Sequence, residues 1–384
     1  MRLLDQEQLD ALAPSLCVSP AVQYARDCIG KDTRRSVRNV ASQLNVLDIG
    51  HHAFPVSVNG GDELAENGNS YVVSPFSAYS GYAKFEIDRL KPSWLTWPLR
   101  QLVTSMGQWL QAARIDCVVH LNNWLLSTNV YPVGWSGNEL GQVTEMLVEK
   151  FPDHALCWRS LNRFSNAVLI DRMASLGYLL VPSRQVWLFD GRRGYQSAYL
   201  RRHNTHLDAT LHRRMPYDLV PAENLDDADF ERLEHLYNLL YLDKYCELNP
   251  QFTATWLRSV QRDGWLQLHA LRDKSGRIDG VLGWVGNDQV LTAPIVGYDT
   301  ALPRRLGLYR LITQLCLQEA AKRKTLLNFS SGAAHFKRLR GGRPEIEYSL
   351  VYVRHLSANR RRTWAMLGGT LRSLGVPLMR HLKL

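Results

Sequence analysis

From Trp265 onward the apolar residues stop recurring at helical spacing and begin to alternate. WLQLHALRD (265–273), a KSG turn and GRIDGVLGWVG (276–286) read as a β-hairpin. NDQ makes the next turn, and VLTAPIVGYD (290–299) is a third strand. A long helix is expected from about Leu306 to Lys322, followed by TLLNFS as a fourth strand and EIEYSLVYVRHL as a fifth. Three antiparallel strands followed by one long helix leave that helix a single way to hide its apolar side, which is against the sheet. Leu308, Leu311, Ile312 and Leu315 are therefore expected to be buried.

Two helical stretches precede the meander. In DDADFERLEHLYNLLYLDKY, Phe230, Leu233, Leu236, Tyr237, Leu240 and Tyr241 fall at helical spacing. NPQFTATWLRSVQRDG is a second helix, with Asn249 and Pro250 at its start. Together these define a unit over residues 215–356. An earlier unit, 35–191, alternates strands and helices: strand-like NVLDIG, FPVSVN and YVVSP, a turn at LAENGN, a helix over Trp97–Arg114 with Leu99, Leu102, Val103, Met106 and Leu110 on one side, then IDCVVHL, GNELGQVTEMLVEKF, HALCWRS, FSNAVLIDRMASLG, YLLVPS and QVWLFDG. Residues 1–34 read as a peripheral helix and loop, 192–214 as a basic connector or crossing helix, and 357–384 as a basic C-terminal helix and tail. At 384 residues the chain is long enough for two domains. The fold class expected is α/β (α+β).

The opening residues do not read as a signal peptide, and no window approaches the apolar length of a membrane span, so a cytoplasmic protein without membrane insertion is expected. Six cysteines at 17, 28, 117, 157, 246 and 316 form no C-x-x-C pair. Their scatter points to reduced, buried thiols rather than a metal site. The net charge is +10, and the segment from Lys337 to the end holds eleven Lys or Arg against two Glu. A second cluster, Arg192–Arg214, sets six Arg against Asp208. Such runs attract phosphates, nucleic acid or an acidic partner, or are simply a solvated basic face.

The loop VGYDTALPRRLGLYRL stands where the third strand gives way to the long helix. Gly307 permits close approach of a ligand, the first helical turn offers unpaired N–H groups, and Arg304 and Arg305 flank them. With the backbone of Leu306 and Leu308 this is a cradle for a pyrophosphate, or else an arginine-rich turn with nothing bound. Arg304-Arg305-Leu306-Gly307-Leu308-Tyr309 resembles the Q/R-x-x-G-x-G/A loop of the GCN5-related N-acetyltransferase family; Tyr309 departs from it, standing where the family keeps a small residue. The stretch Ser331-Gly332-Ala333-Ala334-His335-Phe336-Lys337, followed by Glu345-Ile346-Glu347-Tyr348, is similar to the FemAB-like branch. That branch often carries two such domains in tandem, each a mixed, mostly antiparallel sheet flanked by helices. The resemblance thus makes 215–356 the acyltransferase domain with the donor loop and 35–191 a degenerate copy repeating its topology.

The resemblance implies acyl transfer to an amine from a thioester, either acyl-CoA or the phosphopantetheine of an acidic acyl carrier protein, with no permanently bound cofactor and no metal. Fem-type relatives imply aminoacyl-tRNA as an alternative donor. A non-catalytic protein binding nucleic acid or an acidic partner remains the other class. Candidate catalytic groups are Asp299, Tyr298, His335 and Glu347. Asp299 could take the amine proton or merely cap the loop as an Asx turn; Glu347 could line the acceptor cleft or sit on a wet strand face; His335 is a base or a surface residue. Tyr245 and Glu247 lie where such an enzyme lines its acceptor site. Lys337, with Arg338 and Arg340, would face phosphate or an acidic carrier. Cys316 reads as core and Cys246 has no histidine on its helical face, so direct attack is favoured over an acyl-enzyme.

Overall fold

The alternating stretch does fold as an antiparallel meander, but its sheet extends far beyond it. The computed structural model describes residues 1–10, 20–28, 32–60, 69–88 and 96–382. The strands are β1 Arg2–Leu4, β2 Gln43–Asp48, β3 Ala53–Asn59, β4 Val118–Leu121, β5 Ala155–Asn162, β6 Leu179–Asp190, β7 Tyr217–Pro221, β8 Gln267–Asp273, β9 Ile278–Gly286, β10 Val290–Tyr298, β11 Leu326–Asn328 and β12 Arg343–Tyr352. They form one sheet in the order β1-β2-β3-β4-β5-β12-β6-β11-β10-β9-β8-β7. The helices are α1 Gln6–Asp10, α2 Pro20–Cys28, α3 Tyr82–Asp88, α4 Thr96–Ala112, α5 Leu140–Lys150, α6 Arg163–Ser175, α7 His203–Arg214, α8 Asp227–Asn238, α9 Ala254–Arg262, α10 Leu308–Arg323, α11 Ala334–Leu339, α12 Ala358–Thr370 and α13 Val376–Leu382.

The pairing repeats on either side of the centre. From β1 inward the contacts run antiparallel three times, then parallel between β4 and β5, then antiparallel onto β12. From β7 inward the series is the same, with β10–β11 the parallel pair and β6 the last partner. β6 and β12 meet antiparallel in the middle, each in the half built mainly by the other part of the chain. The sheet therefore runs unbroken across the boundary expected near residues 191–215, and the fifth strand of the meander unit leaves that unit. β12 pairs with β5 and β6 and not with β11. This buries Ile346, Leu350 and Val351, which an edge position would have left half exposed.

Helices cover both faces. Leu268, Ala270, Val281 and Ile295 share a core with Phe230, Leu233 and Leu236 of α8 and Trp256, Leu257 and Val260 of α9. The alternate residues Leu271, Leu282, Leu291 and Val296 pack against Leu308, Leu311, Ile312 and Leu315 of α10, all four buried as expected. Asp226 and Asp229 form a reciprocal capping box that starts α8. Thr253, not Asn249 or Pro250, caps α9 by accepting from the Trp256 N–H at 3.2 Å.

Several expectations change for local reasons. YVVSP is no strand: Val72 and Val73 are buried in a turn, with the Val73 N–H bonded to Ser70 O. YLLVPS and QVWLFDG join into β6, which crosses Pro182 at a register shift opposite Glu347/Tyr348. Leu102 of α4 faces solvent, while Val103, Gly107 and Leu110 are buried. The chain start is an edge strand rather than only a helix and loop, and the connector contains α7. Cys117, Cys157, Cys246 and Cys316 are buried, and no disulfide joins them to one another. Cys17 and most of the LAENGN turn lie outside the described residues, as does the side chain of Cys28.

Candidate active site

β10 and β11 are parallel but pair only through Val290–Leu326, Leu291–Leu327 and Thr292–Asn328. Beyond Thr292, β10 continues to Tyr298 along β9. The chain after β11 instead stays with β6: the Phe329 N–H bonds Trp187 O at 2.9 Å and the Trp187 N–H bonds Ser330 O at 3.1 Å. The two parallel strands thus part company, leaving a wedge bounded by β10 and Phe329–Ser331.

The arginine-glycine loop stands at the mouth of the wedge. Arg304–Leu306 make one tight turn, and Gly307 is left-handed at φ 66° and ψ 30° before α10 begins. A Cβ at Gly307 would sit 2.6 Å from Leu211 Cδ2, so both conformation and space call for glycine here. Arg304 and Arg305 are exposed. In the first turn of α10, Arg310 Nε donates to Asp208 Oδ1 at 2.6 Å, and Arg340 Nε donates to Asp208 Oδ2 at 2.5 Å. Asp208 is only 1% exposed, so one buried carboxylate ties α7 both to α10 and to the end of α11.

Across the wedge, Lys337 is buried. Its Nζ donates to Phe329 O at 2.6 Å, Ser331 O at 2.7 Å and Ser330 O at 3.3 Å. Three carbonyls suit an ammonium, whereas burial and the nearby Arg184 charge oppose it and push the group down to about 7. The Lys337 ammonium is thus spent on the loop that walls the wedge, whereas the sequence assigned it to phosphate. Arg338 is exposed, and Arg340 is buried over the Phe336 ring.

Aromatic side chains fill the opening between the strands. The Tyr309 ring packs at 4.8 Å against Phe336, tilted by 47°, and lies 6.1 Å from Tyr298. Burial, then the neighbouring Tyr245 and Tyr241, push its phenol well above the ordinary value. Tyr241 and Tyr245 belong to the turn after α8, on the opposite face of the sheet from α10, and their rings are 6.4 Å apart. They reach the α10 core because no strand stands between them and it.

Behind these rings lies a buried polar patch. Arg184 of β6 is the register partner of Glu347 on β12, and its Nε donates to Glu347 Oε1 at 2.8 Å. Arg184 also donates to Thr128 Oγ1 at 2.9 Å and to Ser127 O. Burial alone would lower its pKa, but the Glu347 charge and hydrogen bond outweigh that and raise it. Glu347 is 2% exposed, and its Oε2 has no hydrogen-bond partner among the described residues.

The other sequence candidates are placed as follows. Asp299 Oδ2 accepts from Arg232 at 2.7 Å and Oδ1 from the Ala301 N–H at 3.0 Å, an Asx turn with an ion pair added. Burial opposes ionisation, but these donors prevail and hold the carboxyl below its ordinary range. Tyr298 OH accepts from Lys244 Nζ at 3.0 Å. His335 is exposed on α11, its Nδ1 3.2 Å from Arg338. Tyr245 joins the aromatic filling, while Glu247 is exposed beside it in sequence. Sequence reasoning passed over Arg184, Asp208 and Tyr241. The lone acid in an arginine-rich stretch and a cation inside a strand were the available signals.

A family model described as an acetyltransferase (GNAT) domain matches residues 197–338. No curated protein matches the chain. Among solved structures, FemX aligns over 86% of this chain and 91% of its own, at TM-score 0.51 and 6% identity, a likeness of fold. The C-terminal domain (DUF2156) of a putative lysylphosphatidylglycerol synthetase from Agrobacterium fabrum covers 60% of this chain and 77% of its own, at TM-score 0.44 and 13% identity. L-PGS from Bacillus licheniformis covers 60% and 79%, at TM-score 0.43 and 14% identity. The matched span runs from the segment before α7 through the meander, the Gly307 turn, α10 and the parted strands into α11. Residues 197–338 of this chain carry an acetyltransferase domain of the GNAT superfamily.

Proposed function

We propose that the protein is an N-acyltransferase that moves an acyl group from an acyl-CoA or acyl-carrier thioester to an amine by direct attack. The observation that carries this is the parting of β10 and β11 directly beside the Gly307 helix start. Unpaired N–H groups of the first α10 turn, with Arg304 and Arg305, suit the pyrophosphate of CoA or the phosphate of a carrier-bound pantetheine. The thioester then lies in the wedge. The amine lone pair attacks its carbonyl carbon, the C–N bond forms, the C–S bond breaks and the thiolate leaves; the amine proton passes to a base.

Glu347 is the base we favour. Its second oxygen has no partner among the described residues, and Arg184 anchors the first. Asp299 is engaged by Arg232 and the loop, Tyr298 accepts from Lys244, and His335 lies outside the buried patch. Tyr245 borders the acceptor side, with Glu247 at its rim. A covalent acyl-cysteine is disfavoured, since burial pushes Cys316 up to about 12. The two halves are read as diverged copies that exchange their last strands, the first without an arginine-glycine loop. One observation favours a second donor class: Tyr309 and Phe336 occupy the opening that a pantetheine arm would thread. An aminoacyl-tRNA donor would present its ester at the mouth instead.

Titration of the wild type with acetyl-CoA, a longer acyl-CoA, an acylated carrier protein and aminoacyl-tRNA distinguishes these readings. Arg304→Ala should weaken binding of the true donor by about tenfold, in line with roughly 1.5 kcal/mol for one charge-assisted contact. Gly307→Val should weaken it further, with thermal melting as the control for folding. Equal donor binding by both variants and the wild type would remove the proposed cradle. Salt-sensitive nucleic-acid binding without acyl transfer would support the non-catalytic class.

A further inference from the structure

The last acidic residue in the sequence is Glu347. Residues 348–384 contain seven arginines and lysines and no Asp or Glu. Most of this segment is one continuous helical rod, α12, a π-turn over Leu371–Gly375, and α13. Its inner side is accounted for: Thr363, Trp364, Leu367 and Gly368 are buried, and Trp364 and Leu367 pack on Val181 and Val351 of the sheet.

Its outer side is not polar. Met366 is 60% exposed, Leu374 61% and Leu378 38%. Positions eight and four apart would drift around a strict 3.6-residue spiral. The π-turn over Leu371–Gly375 rotates the chain less per residue and so reduces that drift, leaving the three along one outward stripe by spacing. Arg362, one turn before Met366, is exposed on the same side, and Arg361, Arg372 and Arg380 are exposed elsewhere around the rod. Arg361 and Arg372 donate only to backbone carbonyls, of Arg354 and Leu180, and none of the four has an acidic partner among the described residues. On the same face of the sheet, α4 exposes Trp97 at 71% and Leu102 at 57%.

We propose that this face docks on the surface of an anionic lipid bilayer, with the α12–α13 rod lying in the plane of the headgroups. Charge and apolarity point to the same partner. Cations without internal acids are attracted to anionic headgroups, and the aliphatic side chains enter the acyl boundary. Nucleic acid would reward the arginines but give Met366, Leu374 and Leu378 nothing to bury against. No described helix is long and apolar enough to cross a membrane, so the contact is peripheral.

The test is co-sedimentation of the full chain with vesicles of phosphatidylcholine alone and with vesicles that also contain phosphatidylglycerol. Binding is expected only to the second, weakening as salt rises. Arg362→Ala/Arg380→Ala should lower the partition coefficient by about 25-fold, roughly fivefold per arginine near the surface. Leu374→Glu/Leu378→Glu should lower it by at least about tenfold. All four side chains project from the fold, so melting should hold, and donor titration should match the wild type because none touches the wedge. Absence of binding to the anionic vesicles overturns the proposal. So does leucine-variant binding equal to the wild type. RNA binding that loses affinity with the arginine pair, while vesicles are ignored, would make the face a nucleic-acid surface instead.

Discussion

Removing the Asp208 carboxylate should destabilise the protein by leaving a buried charge without its partner. Asp208 accepts from Arg310 at 2.6 Å and from Arg340 at 2.5 Å. The two partners are not equivalent. The Arg310 side chain is 38% exposed and can return to water, whereas that of Arg340 is 5% exposed and cannot. Arg340 keeps a bond to Phe336 O at 3.1 Å and its place over the Phe336 ring, neither of which neutralises a buried charge. Asp208→Ala should therefore cost about 3–5 kcal/mol, the range for breaking a buried pair from one side. For a chain of 384 residues that is a fall in melting temperature of about 4–6 °C. Calorimetry or denaturant unfolding provides the measurement. Asp208→Ala/Arg340→Met should recover part of the loss, because the orphaned charge is then gone. A shift under about 1 °C for the single variant would refute the assignment of cost to desolvated charge. So would a double variant less stable than the single one.

Lys337 should titrate near neutrality, about 7 against 10.5 in the unfolded chain, and the 13Cε shift of labelled lysine followed against pH reads it directly; a midpoint near 10 would contradict the burial argument. Because the native value lies below the unfolded one, the unfolded chain holds the extra proton between them. Stability from this group is present above 10.5, is lost as pH falls towards 7, and is level below that, which urea midpoints across the window will follow. Cys157 and Cys316, both pushed up to about 12 by burial, should resist iodoacetamide in the folded protein at pH 8 and react once it is denatured; rapid native alkylation at either would mean the core opens. Tyr309→Ala opens the space between β10 and Phe336, and should tighten a pantetheine donor if that donor is the right one; unchanged or weaker acyl-CoA binding would favour an ester presented at the mouth.

The helices and most strands were legible because each depends on neighbours in sequence. The period change at Trp265, the apolar stripe of α10 and the glycine demanded by the Gly307 turn are local properties, and the structure carries all three. The resemblance of the Arg304–Tyr309 loop likewise rests on adjacent residues. Reading failed where a strand looked equally good in either of two places. EIEYSLVYV alternates wherever it pairs, so nothing in it says that β12 lies between β5 and β6. Val72 and Val73 looked like a strand because burial, not extension, requires them apolar.

What sequence alone determined is therefore the class of most elements, the turn before α10 and the basic bias of the C-terminal segment. Tertiary structure decided what the charged residues do. Lys337 and Arg340 belong to one basic run, yet the first grips three carbonyls and the second a buried carboxylate from a helix more than a hundred residues earlier. Glu347 meets Arg184 only because β6 and β12 are paired across the centre. Hydrophobic periodicity is written into each segment, but a buried charge acquires its partner only when distant strands and helices close around it, since the cost of leaving it unpaired exists only once water has gone.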